Sequence, residues 1–153
     1  MTFTDTHCHL ADPKLANTLP AVLAEAQAAG VARFIVPATS PKDWHSVAQL
    51  ERLSENIHIA LGIHPWFSDG LNEAAFQELE KELIRHPQAW VGEIGLDFYG
   101  KEQTQAQRDT QTDVFIRQLI LAQHLNRRVI IHNLKAAAAI AAAVKTAGFT
   151  RGG

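Results

Sequence analysis

His7 and His9 stand one residue apart. His64 follows the apolar run Leu61-Gly62-Ile63, Glu93 follows Trp90-Val91-Gly92, and His132 follows Val129-Ile130-Ile131. Imidazole nitrogen and carboxylate oxygen are the donors that hold Zn, Mn, Co or Ni, whereas Mg and Ca prefer all-oxygen sites. Side chains alternate along a strand, so the His7-Cys8-His9 spacing predicts two imidazoles on one face. Cys8 then points to the other face, toward the helices, and packs as a small hydrophobe. Two surface histidines would have the same spacing, so the pair needs company before it specifies a metal.

Glu93 lies in Val91-Gly92-Glu93-Ile94-Gly95-Leu96-Asp97. A carboxylate between two glycines after an apolar strand is costly to bury without a partner. It is either a strand-end glutamate in solvent or a ligand whose two oxygens can bridge two cations. Asp97 is expected in the following loop, where it orients a ligand or a water or simply makes a turn. His132 follows a run that reads as buried on both faces, and its alternative role is that of a hydrogen-bonded core histidine. Pro65 pushes His64 toward extended backbone, from where it contacts an anionic substrate or remains an ordinary loop residue. His45, His86 and His124 fall on or beside helices and read as surface residues. His58 opens a strand at the end away from these groups, and none of these four is assigned a role.

Elements that could carry such side chains alternate along the chain. Strand patterns cover Phe3–His7, Val31–Val36 (stopping at Pro37), His58–His64, Ala89–Ile94 and Arg128–His132. Helix patterns follow each: Thr18 to Ala29 with Gly30 as the stop, a segment opened by Pro41, Asn72 to His86, Gln105 to Leu125, and an alanine-rich helix to Ala147 closed by Gly148. Five βα units in order mean an α/β protein with a parallel sheet covered by helices. Right-handed crossovers leave an open doubly wound sheet or part of a (β/α)8 barrel. No glycine-rich nucleotide loop follows the first strand, which argues against a Rossmann or P-loop domain. A complete barrel takes ~250 residues. The expectation for these 153 residues is therefore one domain, 1–153, comprising the N-terminal five βα units of a TIM-type barrel, with Arg151-Gly152-Gly153 approaching a further strand. The carboxyl ends of parallel strands share one crevice. His7, His9, His64, Glu93 and His132 end four different strands there.

Composition narrows the function classes. With 46% hydrophobic and 20% charged residues the chain is not generally disordered. A net charge of −2 provides no polyanion-binding footprint, so work on nucleic acid would need a metal or a local basic patch. The single cysteine, Cys8, excludes an intramolecular disulfide and suits a reducing compartment. The first residues show no signal-peptide pattern, and no stretch is long and apolar enough to span a bilayer. A cytoplasmic protein without membrane contact is expected. Unpaired edges at the first and fifth strands of an open sheet offer a route to self-association.

In order and spacing, Asp5-Thr6-His7-Cys8-His9-Leu10, Leu61-Gly62-Ile63-His64-Pro65, Val91 to Phe98 and Val129-Ile130-Ile131-His132 resemble the TatD family of metal-dependent hydrolases, described as deoxyribonucleases. The resemblance spans almost the whole chain. It implies a binuclear site in which His7 and His9 hold one ion, Glu93 bridges and serves catalysis, and His132 holds the other. His64 is expected at the substrate. Two divalent ions are implied, Zn first, with Mn, Co, Ni or Mg as alternatives, and DNA or a small phosphoester as substrate. Two ions ~3.5–4 Å apart activate a shared water and stabilise the attacking and leaving oxygens of a phosphodiester. The family adds a further His and a late Asp that would fall beyond Gly153. It also reads His-Ser-Arg-Asp where this chain has His132-Asn133-Leu134-Lys135, which removes an arginine from the substrate side. Competing readings are a metal-binding but catalytically impaired barrel fragment, and an amidohydrolase-like enzyme acting on a small metabolite. A plain interaction domain would leave the aligned rim residues unexplained.

Overall fold

The computed structural model describes residues 1–100 and 103–151. Its strands are β1 (Phe3–Asp5), β2 (Val31–Pro37), β3 (Ile57–Leu61), β4 (Trp90–Asp97) and β5 (Val129–Leu134). The helices are α1 (Leu19–Ala28), α2 (Trp44–Leu50), α3 (Glu73–Arg85), α4 (Gln105–His124) and α5 (Ala137–Thr146). Every neighbouring pair of strands is parallel, and the order across the sheet is β1-β2-β3-β4-β5. A doubly wound sheet reverses its order at a switch point. An order that never reverses sends every crossover the same way and makes the chain a half-barrel of five βα units.

Local chemistry sets the helix boundaries. The Asn72 side chain accepts the Ala75 N–H at the start of α3, and Thr104 and Gln107 form a reciprocal capping box at the start of α4. The apolar stripes of these helices, Phe76, Leu79 and Leu83 on α3 and Phe115 and Leu119 on α4, close over Leu61, Val91, Ile94 and Leu96 of the sheet. Gln118 of α4 is wholly buried. It accepts the Ile63 N–H at 2.8 Å and donates to the Ile63 carbonyl at 3.1 Å, fastening the chain just before His64.

Several boundaries differ from expectation. β1 stops at Asp5, so His7 and His9 lie in the loop beyond it. β3 stops at Leu61, and His64 caps the 3₁₀ turn Pro65–Phe67 instead of ending the strand. β4 continues to Asp97, which is therefore a strand residue and not a loop residue. α2 starts at Trp44 because the Asp43 carboxylate first gathers the Thr39 and Ser40 N–H groups. β5 is not buried on both faces. It is an edge of the sheet, Val129 and Ile130 are half-buried, and Ile131 is exposed. Arg151 belongs to no strand, and the expected strand approach at Gly152-Gly153 lies outside the described residues. Among the described residues no helix is long and apolar enough to cross a membrane.

Candidate metal centre

The carboxyl ends of the strands do converge. His7 and His9 meet with ring centroids 5.1 Å apart, at 77° to one another. Strand alternation does not bring them together, because β1 has already ended. The Cys8 N–H donates to the Ile35 carbonyl, which continues the pairing pattern beyond the strand and leaves its two neighbours on the same side. Cys8 turns into the core as expected, with its thiol against the Ile35 carbonyl. Burial first, and then the nearby Asp5 carboxylate, push that thiol up to about 12.

Glu93 is buried, and its two oxygens point in different directions. Oε2 lies 3.3 Å from His7 Nε2, and Oε1 lies 3.1 Å from His132 Nδ1 and 4.0 Å from His64 Nε2. Two donor groups result, His7-His9-Glu93 and His64-Glu93-His132, each with its ligand atoms within 4.8 Å of one another. Both share Glu93.

Hydrogen bonding separates the roles of the two further imidazoles. His64 Nδ1 accepts the Trp66 backbone N–H at 3.2 Å. A neutral imidazole has one N–H, so His64 must carry it on Nε2, the nitrogen aimed into the site. Burial holds this ring well below the usual histidine range, at about 4, despite the opposing pull of Glu93. His64 is therefore neutral near pH 7 and presents a donor.

His132 sits between two carboxylates, with Nε2 at 3.2 Å from Asp97 Oδ2 and Nδ1 at 3.1 Å from Glu93 Oε1. If its N–H is given to Asp97, its other nitrogen faces Glu93 as one acceptor facing another, and a cation between them would reconcile the pair. A carboxylate behind a ligating histidine is the usual arrangement for fixing its tautomer. Burial alone would raise Asp97. The Tyr99 N–H, the Trp66 indole N–H and His132 outweigh that and hold its carboxyl below the usual range. The donor set thus fits divalent cations with nitrogen and oxygen affinity.

Sequence reasoning left two contributors unassigned. Trp66 donates its indole N–H to Asp97 at 2.7 Å and stacks edge-on against His64, while Thr39 lines the same cavity of about 380 Å³. The exposed aromatic directly after His64-Pro65 was the available signal for Trp66, and nothing local marks Thr39. Of the remaining histidines, His45 and His124 are exposed as expected. His86 is not a surface residue, because it is half-buried against Glu51 at 2.5 Å and Glu82 at 3.7 Å, where it ties α3 to the end of α2. His58 lies at the opposite end of the sheet, beside Arg33 and Trp90.

The family model described as TatD related DNase matches residues 4–152. The metal-dependent hydrolase YjjV of Escherichia coli is 35% identical over 133 residues, covering 86% of this chain and 50% of that protein. The deoxyribonuclease TATDN3 of Homo sapiens is 31% identical over 144 residues, covering 86% of this chain and 52% of that protein. The crystal structure of the YjjV TatD homologue superposes with a TM-score of 0.87 at 32% identity, over 96% of this chain and 56% of that one. The chain spans about half the length of the curated relatives it matches.

Proposed function

The chain belongs to the TatD-related DNase family of metal-dependent hydrolases, and on that premise we propose that it hydrolyses phosphodiester bonds, in DNA or in a small phosphoester, at a binuclear divalent-metal centre. The observation that carries this reading is the division of Glu93, with one oxygen turned to His7 and the other to His132. His7 and His9 would hold one ion and His132 the other, with one Glu93 oxygen offered to each side. Zn suits the donors best, with Mn, Co, Ni or Mg as substitutes. When bound, the ions supply a hydroxide at neutral pH and neutralise charge on the phosphodiester.

The chain's own residues do the positioning. Asp97 keeps the His132 proton on Nε2 and leaves Nδ1 free to ligate. His64, neutral and held by the Trp66 N–H, donates from Nε2 to a non-bridging phosphate oxygen. Such a donor strengthens as negative charge grows there in the transition state. DNA as the substrate is supported by the name of the human relative, and a single, half-buried cysteine suits the cytoplasm.

Calorimetric titration of the metal-free chain with Zn or Mn tests this reading. The expected result is two ions at micromolar affinity, with one site lost in His7→Ala, one lost in His132→Ala, and both weakened in Glu93→Gln. Hydrolysis of bis(p-nitrophenyl) phosphate and of single-stranded DNA should follow metal occupancy. Unaltered binding in Glu93→Gln overturns the bridging role. Two bound ions with no hydrolysis favour the impaired-fragment reading, and turnover of cyclic amides in place of phosphodiesters favours the amidohydrolase one.

A further inference from the structure

Beyond Asp97 the rim of the half-barrel opens into a second cavity of about 550 Å³, lined by Phe98, Tyr99, Gly100, Arg108 and Lys135. We propose that this cavity is a nucleotide subsite, in which Tyr99 stacks a base of single-stranded nucleic acid while Arg108 and Lys135 hold the adjoining phosphate. The proposal deepens the phosphodiesterase reading and rests on it for the identity of the substrate.

Three observations carry it. The first is charge. Among the described residues the lining holds two cations and no carboxylate. Among the described residues Arg108 and Lys135 form no ion pair. The Arg108 Nε is buried without a hydrogen-bond partner, although a guanidinium N–H taken out of water needs an acceptor. A phosphate oxygen supplies one.

The second is the interleaving of cations with aromatic faces. The Arg108 guanidinium lies 5.1 Å from the Phe98 ring centre, and the Lys135 ammonium lies 5.0 Å from that of Tyr99. Tyr99 is 64% exposed. Aromatic platforms beside backbone-tracking cations are how proteins hold single strands without reading sequence. An acidic peptide would use the cations and leave the ring idle.

The third is attachment to the metal centre. Asp97 accepts the Tyr99 N–H on Oδ1 at 3.0 Å, while its Oδ2 accepts the Trp66 indole and faces His132. One buried carboxylate therefore positions the stacking ring and the metal-facing imidazole together. Lys135 follows directly after β5, the strand that carries His132. A nucleotide in this cavity would be the neighbour of the one whose phosphodiester reaches Glu93.

Anisotropy of a fluorescein-labelled oligothymidylate, titrated with the chain in Mn, tests the subsite. Tyr99→Ala should weaken binding by about tenfold or more, and Tyr99→Phe should restore it. On an abasic oligomer with the same phosphates Tyr99→Ala should bind like the parent. Lys135→Ala should lower the slope of log K against log salt by ~0.7, one phosphate contact on a single strand. Tyr99→Ala binding as well as the parent, or losing equally on the abasic oligomer, overturns the stacking role. Bis(p-nitrophenyl) phosphate is too small to bridge both cavities, and its hydrolysis reads the metal centre alone. Oligomer binding with these variant effects but no hydrolysis keeps the subsite and sinks the hydrolase. Hydrolysis without oligomer binding does the reverse.

Discussion

Gly95 of β4 leaves no room for a side chain against β5, and replacing it with alanine would test how tightly that contact holds the metal centre. The residue pairs with His132, and its φ is +143°. A β-carbon there would stand 2.0 Å from the His132 carbonyl oxygen. A carbon–oxygen contact closes to roughly 3.3 Å at best, so the strands would have to part by about an ångström. Neither atom is the end of a flexible side chain, and both backbones must shift. Overpacking of this kind costs ~1–3 kcal/mol, and forcing a side chain into that backbone region costs another ~1–3 kcal/mol. The sum, ~2–6 kcal/mol, corresponds to a fall of ~1–3 M in the urea midpoint for a domain of this size. Gly148→Ala is the matched control, because Gly148 also has positive φ, +61°, yet nothing lies within 4 Å of the place its methyl group would take; it should lose only ~1 kcal/mol. Far-UV circular dichroism in urea measures both variants, and metal titration of folded Gly95→Ala should show the weaker site at His132. A Gly95→Ala midpoint equal to that of Gly148→Ala would refute the argument, since it would mean that β5 is free to move away from β4 without loss.

Two further outcomes follow from buried polar groups. Gln118→Met keeps the volume but abandons both backbone groups of Ile63, which at ~1–3 kcal/mol each should cost ~2–6 kcal/mol; an unchanged melting temperature would show that water reaches Ile63. The Cys8 thiol, raised to about 12, stays protonated in the folded protein throughout the neutral and mildly alkaline range. Because the fold disfavours the thiolate, labelling by 5,5′-dithiobis(2-nitrobenzoate) should stay slow up to pH ~10 in native protein and inflect near the ordinary thiol value, ~8.5, in urea; a native inflection near that ordinary value would contradict the burial argument.

The sequence by itself determined the order of the elements and the position of each chemistry-bearing residue near a strand end. Apolar periodicity, caps such as Asn72 and Thr104, and stops such as Gly30 and Gly148 act over a few residues, so they can be read locally. From them came the five βα units and the shared rim of His7, His9, His64, Glu93 and His132. The choice between an open doubly wound sheet and a half-barrel was not local, because it depends on which strands become neighbours. The unreversed order β1 to β5 decided it.

The same distinction holds inside the site. That Glu93 splits its oxygens and that Asp97 grips His132 and Trp66 depend on pairs separated by 31 or more residues in sequence. Asp97 reads as a loop residue because the apolar pattern weakens at Gly95, although pairing with β5 carries the strand on to Asp97 opposite Leu134. His7 and His9 read as strand neighbours and are joined instead by a loop held to Ile35. Residue types disclose which bonds a side chain can form. Only the packing of distant strands decides which partner lies within reach, and so which nitrogen keeps its proton and which is left to bind a metal.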